Sequence, residues 1–229
     1  MKTDERPSLR QTNKLMRRYA AIVGGLVWLS LAIQFYLTTT LAMSNGVGLW
    51  TGITRYFGYF TILTNILVAL VLTVPLIEPQ SRWAQFFSKP GVRTATAVYI
   101  AIVGITYSLL LREIWDPQGW QLVVDRMLHD ISPIAYVIFW FLFVPKTTLR
   151  WSNLPAWLIY PLIYLVVALI RGAIFNWYPY PFLEVGKLGF ERVFLNSVMI
   201  FIGFCVVSLL FIGIGRLMSR STHQSSSIR

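Results

Sequence analysis

Cysteine and histidine are scarce in this sequence, and their scarcity excludes several kinds of site. The chain of 229 residues has one cysteine, Cys205, in the last long apolar segment. An intrachain disulfide and a cysteine-ligated metal site are therefore excluded, and we expect no redox chemistry. Of the two histidines, His129 lies in an apolar region and His223 in the C-terminal tail. Because zinc sites need several Cys, His or carboxylate ligands held together, we expect no metal and no cofactor.

Charge is also sparse. Only 13% of the residues are charged, 56% are hydrophobic, and the mean hydropathy is +0.61. Apolar segments of this length match a hydrocarbon core of about 30 Å, and they lack the alternation of barrel strands. We predict an all-α membrane protein, a single bundle of six transmembrane helices. The expected spans are about 19–43, 56–77, 94–112, 127–144, 156–175 and 193–217.

The charges that are present are unevenly distributed between the two predicted sides. With the N-terminus inside, the inner segments hold 14 Lys or Arg and 3 Asp or Glu, whereas the outer segments hold 6 of each. This positive-inside bias predicts that both termini are cytoplasmic and that the protein is an integral, multi-pass membrane protein. A basic tail at 1–18 and a second tail at 219–229 would flank the transmembrane domain, 19–218, and residues 1–18 and 221–229 should be disordered.

The basic residues lie at loop ends and are not clustered with interleaved aromatic residues. They therefore predict contact with anionic lipid headgroups rather than with nucleic acid. The first apolar stretch is about 25 residues long, against 7–15 in a signal peptide, which predicts a retained signal anchor. Because no span carries a charge at its middle, a pump or a channel ranks third, after the two candidate functions given at the end of this section.

The second predicted span begins with a polar face. Thr61 and Asn65 are four residues apart and share one side of a helix near its outer end. A membrane threonine usually bonds back to the carbonyl three or four residues earlier, so Thr61 alone could be structural. The amide of Asn65 needs partners that lipid does not offer, so it should face the bundle interior.

His129 opens the fourth predicted span near the same outer end. An ionisable residue inside a bundle indicates function, although a histidine that only reaches the interface is the alternative. The neighbouring Asp130 would suit the first helical turn and points about 100° away from His129.

A third polar group lies at the end of the fifth predicted span and in the segment that follows it. Arg171 precedes the segment from Trp177 to Phe182, in which two prolines prevent a helix. Tyr178 and Tyr180 in this segment form either an aromatic belt at the interface or a lid over a lipid-facing mouth. In the second case Arg171 could hold a carboxylate or a phosphate.

Together these residues resemble a known family. The motifs that carry the resemblance are Tyr59-Phe60-Thr61 with Asn65, Leu128-His129 with Pro133, the run from Trp140 to Lys146, Tyr160-Pro161, Arg171-Gly172, and Tyr178 to Phe182 with Gly189. They resemble a bacterial family of six-helix membrane proteins, similar at a distance to the eukaryotic androgen-induced protein family. The bacterial resemblance covers nearly the whole chain after residue 18.

The resemblance implies an intramembrane hydrolase of fatty-acid esters in the bacterial cytoplasmic membrane, with Thr61 as nucleophile and His129 as base. Thr64 is the alternative nucleophile, because the eukaryotic pattern is one residue shorter here. Asn65 and Arg171 are candidate oxyanion groups, with Tyr178 and Tyr180 as further substrate-binding candidates. The expected partners are membrane lipids and a lipid-like substrate. A non-catalytic lipid-binding or scaffolding membrane protein is the alternative from a different class.

Overall fold

The computed structural model describes residues 7–226, with the side chains of 11–219, and this part of the chain contains helices, turns and loops but no strand. The α-helices are α1 Pro7–Ser44, α2 Leu49–Tyr56, α3 Phe60–Ile77, α4 Arg82–Ser88, α5 Pro90–Thr106, α6 Trp120–Arg126, α7 Ser132–Phe143, α8 Leu154–Phe175, α9 Val185–Leu188 and α10 Phe190–Ser226. Two π-turns, Tyr107–Leu111 and Met127–Ile131, and two 3-10 turns, Trp151–Asn153 and Pro181–Leu183, complete the helical structure.

Five helices of the described chain are long and apolar enough to cross a membrane: Gln11–Ser44, Phe60–Ile77, Pro90–Leu111, Trp151–Phe175 and Phe190–Ser219. They differ in how much of their apolar window is buried by protein: 50% for α3 and 56% for α5, against 28%, 17% and 22% for α1, α8 and α10. Since apolar residues that face lipid need no protein cover, α3 and α5 form the centre, and α1, α8 and α10 present apolar surface outward.

The structure differs from the sequence prediction at four places. The second predicted span, 56–77, begins at Phe60 as helix α3, because Gly58 and Tyr59 separate it from α2. The predicted fourth span, 127–144, is the end of a continuous helical run, Trp120–Phe143, interrupted by a π-turn and outside the five helices above. Of the tails predicted to be disordered, residues 1–6 and 227–229 lie outside the described residues. Residues 7–18 and 221–226 instead continue α1 and α10, since extending an existing helix adds one hydrogen bond per residue ordered.

The connectivity brings the chemistry-bearing residues to one end of the bundle. We call it the site end, and it holds the connections 45–59, 112–119 and 176–189. The opposite end, the basic end, holds the connections 78–89 and 144–153. The starts of α3, α6 and α10 and the ends of α5 and α8 therefore meet at the site end.

Candidate functional site

A cavity opens among these helix ends. Its volume is about 70 Å³, and Thr61, Tyr107, His129 and Tyr180 all line it. Most of the wall is apolar, supplied by α3, α5, α8, α10 and the segment 180–183, with Phe60, Ile102, Leu165 and Phe204 among its members. The site can therefore hold an apolar chain beside a small group of hydrogen-bonding side chains.

Thr61 is held in an unusual way for a membrane threonine. Thr73, Thr94 and Thr96 all donate to the carbonyl four residues earlier, at 2.7–2.9 Å. The Thr61 hydroxyl lies instead 3.4 Å from the hydroxyl of Tyr180, which also accepts from the Thr61 backbone N–H at 3.3 Å. The ordinary structural role of such a threonine, bonding back to its own helix, is therefore not the one that Thr61 has.

Tyr180 reaches Thr61 from the Pro-rich segment after α8. Its ring stacks on Phe182 at 5.1 Å and meets Tyr59 edge to face at 5.8 Å, which fixes its position over the start of α3. Burial raises the pKa of the Tyr180 phenol above its ordinary value. The hydroxyl consequently keeps its proton at neutral pH and can act as a hydrogen-bond donor in the cavity.

His129 is oriented by a buried carboxylate. Its Nδ1 lies 3.1 Å from Asp125 Oδ1 and 3.0 Å from the Asp125 carbonyl oxygen. Asp125 is only 3% exposed, and its other oxygen accepts from the Tyr107 hydroxyl. The Tyr107 ring stacks on the imidazole, with centroids 4.1 Å apart and planes at 14°. A proton on Nδ1 satisfies the carboxylate and leaves Nε2 as the acceptor nitrogen.

Both aromatic members of this group lie in π-turns. Tyr107 begins the π-turn that ends α5, where the Arg112 N–H donates to the Tyr107 carbonyl at 2.9 Å. His129 is the central residue of the π-turn between α6 and α7. Single π-turns inside α-helices occur often at functional sites, because the extra residue redirects side chains that a regular helix would place elsewhere.

Asp130, the acidic neighbour of His129, faces a different set of partners. It pairs with Arg112, and with Arg126 at 2.9 Å. Its carboxylate is therefore occupied by arginines, while Asp125 serves His129.

Asn65 is buried but does not line the cavity. Its amide group donates to the carbonyls of Thr61 at 2.9 Å and Leu128 at 3.2 Å, and its oxygen accepts from Ser132 at 2.6 Å. It joins α3 to the helical run that carries His129. Thr64, the alternative nucleophile, is also off the cavity wall, with its hydroxyl 3.4 Å from that of Tyr160.

Arg171 and Tyr178 lie beside the site rather than in it. The Arg171 guanidinium stacks on Trp177 at 4.4 Å and packs against Gly58, where a Cβ would lie 2.3 Å from its Nη1. The Tyr178 ring packs equally closely on Gly172. These contacts fix the segments on either side of Thr61 and Tyr180, so both residues position the site without lining the cavity.

Two members of the site were not identified from the sequence, Asp125 and Tyr107. Asp125 precedes His129 by four residues, a spacing that places both on one helical face, so the sequence does contain a signal for this pair. Tyr107 comes from another helix, and its contact with the Asp125–His129 pair depends on packing that no local pattern shows.

No known protein family, curated protein or solved structure matches this chain.

Proposed function

We propose that the protein is an intramembrane hydrolase of lipid esters, with Thr61 as nucleophile and His129 as general base. One observation carries the proposal: Thr61 and His129 line a single apolar cavity in which a buried carboxylate, Asp125, already holds the far side of the imidazole. Such an arrangement of hydroxyl, imidazole and carboxylate is the usual means of activating a weak hydroxyl nucleophile.

The reaction proceeds in two balanced halves. His129 Nε2 takes the Thr61 proton as the hydroxyl oxygen forms a bond to the ester carbonyl carbon, and collapse of the intermediate breaks the bond to the alcohol oxygen. The imidazolium returns the proton to the departing alcohol. His129 then takes a proton from water as the water oxygen attacks the acyl carbon, and Thr61 recovers its proton when the fatty acid leaves. Asp125 stabilises the imidazolium in both halves.

Tyr180 is the best placed donor for the negative charge that develops on the carbonyl oxygen. Its hydroxyl touches both the nucleophile and the Thr61 N–H, which itself belongs to the first turn of α3, where N–H groups lack helical acceptors. Asn65 and Arg171 are engaged elsewhere, which favours Tyr180 over them. The apolar walls suit an acyl chain and offer few polar groups that could bind a lipid headgroup.

The membrane arrangement that accompanies this function has six spans, the helical run Trp120–Phe143 being the additional one. Both termini then lie in the cytoplasm, and the cavity opens near the outer leaflet of a bacterial cytoplasmic membrane. The charge distribution supports this orientation. Single cysteines at Gln118 and Ser81, in a Cys205→Ala background, test it: an impermeant maleimide added to intact cells should label only the Gln118 variant.

A non-catalytic lipid-binding protein is the second candidate. Across the described side chains, 11–219, no hydrogen bond joins the Thr61 hydroxyl to His129, and the Tyr180 hydroxyl is the partner of Thr61 instead. The Thr61 hydroxyl must therefore exchange Tyr180 for His129 as its partner before attack. If that exchange does not occur, the same cavity would only bind lipid.

Covalent labelling with a fluorophosphonate distinguishes the two candidates. An activated hydroxyl displaces fluoride and leaves a phosphonyl group on the protein, which intact mass spectrometry measures on the detergent-purified chain. We expect labelling of the wild type and of Thr64→Ala, and none of Thr61→Ala or His129→Ala. Wild-type protein that is folded but unlabelled would favour the lipid-binding protein, and loss only in Thr64→Ala would identify Thr64 as the nucleophile.

A further inference from the structure

A second cavity lies at the basic end, which is the opposite end of the bundle from the site described above. Its volume is about 310 Å³, and it lies between α1, α3, α7, the end of α4 and the start of α5. Its polar wall consists of Asn13, Arg17, Ser88 and Arg93, and the rest is apolar. Among the described side chains, 11–219, no carboxylate lines it, so the charges of its described lining are all positive.

Arg93 is the buried cation of this cavity. It is only 8% exposed, and its guanidinium lies over Phe139 at 5.6 Å. Its Nε donates to the Phe87 carbonyl at 3.2 Å, and its Nη2 contacts the Ser88 hydroxyl at 3.5 Å. An arginine has five N–H donors, so these contacts leave most of its donors for another acceptor.

Neither arginine of the cavity forms an ion pair in the described part of the chain. The ion pairs that arginine and lysine form within residues 11–219 involve Arg112, Arg126 and Lys187, and Arg17 and Arg93 are not among them. Removing a charged group from water is unfavourable unless an opposite charge compensates for it. A buried guanidinium beside a second arginine therefore favours an anion that is not part of the protein.

We propose that this cavity binds a phosphate-bearing anion, with Arg93 and Arg17 contacting the phosphate oxygens. Arginine's planar donor fork matches phosphate geometry, and Asn13 and Ser88 can supply further hydrogen bonds. The apolar side chains of Met16, Val71 and Leu72 line the same cavity. They suit the glycerol and upper acyl carbons of an anionic phospholipid, whereas a free phosphate ion would make no use of them. The binding does not depend on the proposed hydrolysis.

Thermal unfolding of the full-length protein in a neutral detergent tests the site, with its tryptophans as the reporter. Phosphatidylglycerol, phosphatidylcholine and inorganic phosphate are titrated separately into the wild type, Arg93→Gln, Arg17→Gln and Arg82→Gln. Arg82 is an exposed arginine at the same end that does not line the cavity, so it is the matched control. We expect phosphatidylglycerol to raise the midpoint of the wild type and of Arg82→Gln, and phosphatidylcholine to leave it unchanged.

Each cavity variant should need about tenfold more phosphatidylglycerol for half of the shift, the usual effect of losing a charge-assisted hydrogen bond. A comparable shift with inorganic phosphate, lost in the same variants, would support the anion site and identify free phosphate as its occupant. Equal responses in Arg17→Gln, Arg82→Gln and the wild type would overturn the proposal. Because Arg17 is exposed, its variant should fold even if Arg93→Gln does not.

Discussion

Replacing Asp125 by asparagine should abolish most of the proposed hydrolysis while leaving substrate binding intact. The carboxylate lies 3.1 Å from His129 Nδ1, and both groups are shielded from water. With an effective dielectric constant of about 20, the attraction between the carboxylate and an imidazolium at this distance is about 5 kcal/mol. The imidazolium forms only as the reaction proceeds, so this energy is lost from the transition state alone.

Since about 1.4 kcal/mol corresponds to a factor of ten, the rate constant kcat should fall by about 10³- to 10⁴-fold. The KM should change by less than about threefold, because Asp125 lies behind His129 rather than on the cavity wall. Tyr107→Phe keeps the stacked ring but removes the second hydrogen bond to Asp125, and about a tenfold loss is expected.

The assay is hydrolysis of p-nitrophenyl esters of medium-chain fatty acids by the detergent-purified protein, with kcat and KM measured for each variant. Asp130→Asn is the matched control, because it makes the same chemical change five residues further along the chain. Its carboxylate faces arginines away from the cavity, and activity should stay within about twofold of wild type. Equal activities of the Asp125 and Asp130 variants, with both folded, would refute the assignment of Asp125.

Three further results are expected. Gly172→Ala should lower thermal stability by about 1–3 kcal/mol, because its Cβ would lie 1.9 Å from the Tyr178 ring, whereas Gly186→Ala, with open space around it, should not. Burial lowers the pKa of Lys146 to about 8, so a ¹³C-methylated sample should show one lysine resonance, absent from Lys146→Gln, that titrates near pH 8 beside that of the N-terminal amine. An ordinary lysine would titrate above pH 10. Between these pH values the unfolded chain binds more protons at this lysine, so its contribution to stability should rise with pH over that window. Asn65→Leu should destabilise the protein by about 2–4 kcal/mol in a thermal unfolding assay, because it leaves three buried hydrogen-bonding groups without their partner.

The parts of the structure that follow from local periodicity could be predicted from the sequence. The apolar runs predicted the helices, and the amide of Asn65 was expected to face the interior, where it is fully buried. The run 120–143 was harder to predict, because charged residues dilute its first half and the π-turn shifts its helical period. The predicted first and last spans are shorter than α1 and α10, because backbone hydrogen bonds also stabilise a helix beyond its apolar segment.

Contacts in the candidate site could be predicted from the sequence only where both residues lie on the same helix. Asp125 lies four residues from His129 on the same helical face, whereas the adjacent Asp130 points to another face and pairs with arginines. The contacts of Arg171 with Trp177 and Gly58, and of Tyr180 with Thr61, depend on how a Pro-rich segment folds back over the bundle. The contacts with Gly58 and Thr61 arise from packing between segments more than a hundred residues apart, which a single sequence does not reveal.

The π-turn at Met127–Ile131 separates two tasks along one helix. Asp125 precedes the turn and lies against His129 within it, whereas Ser132 follows the turn and donates a hydrogen bond to Asn65. The turn contains one residue more than an α-helix needs, and its wider winding takes up that residue. The helices on either side therefore keep nearly the relative orientation of one regular helix, so the carboxylate stays behind the histidine while the serine stays against the asparagine.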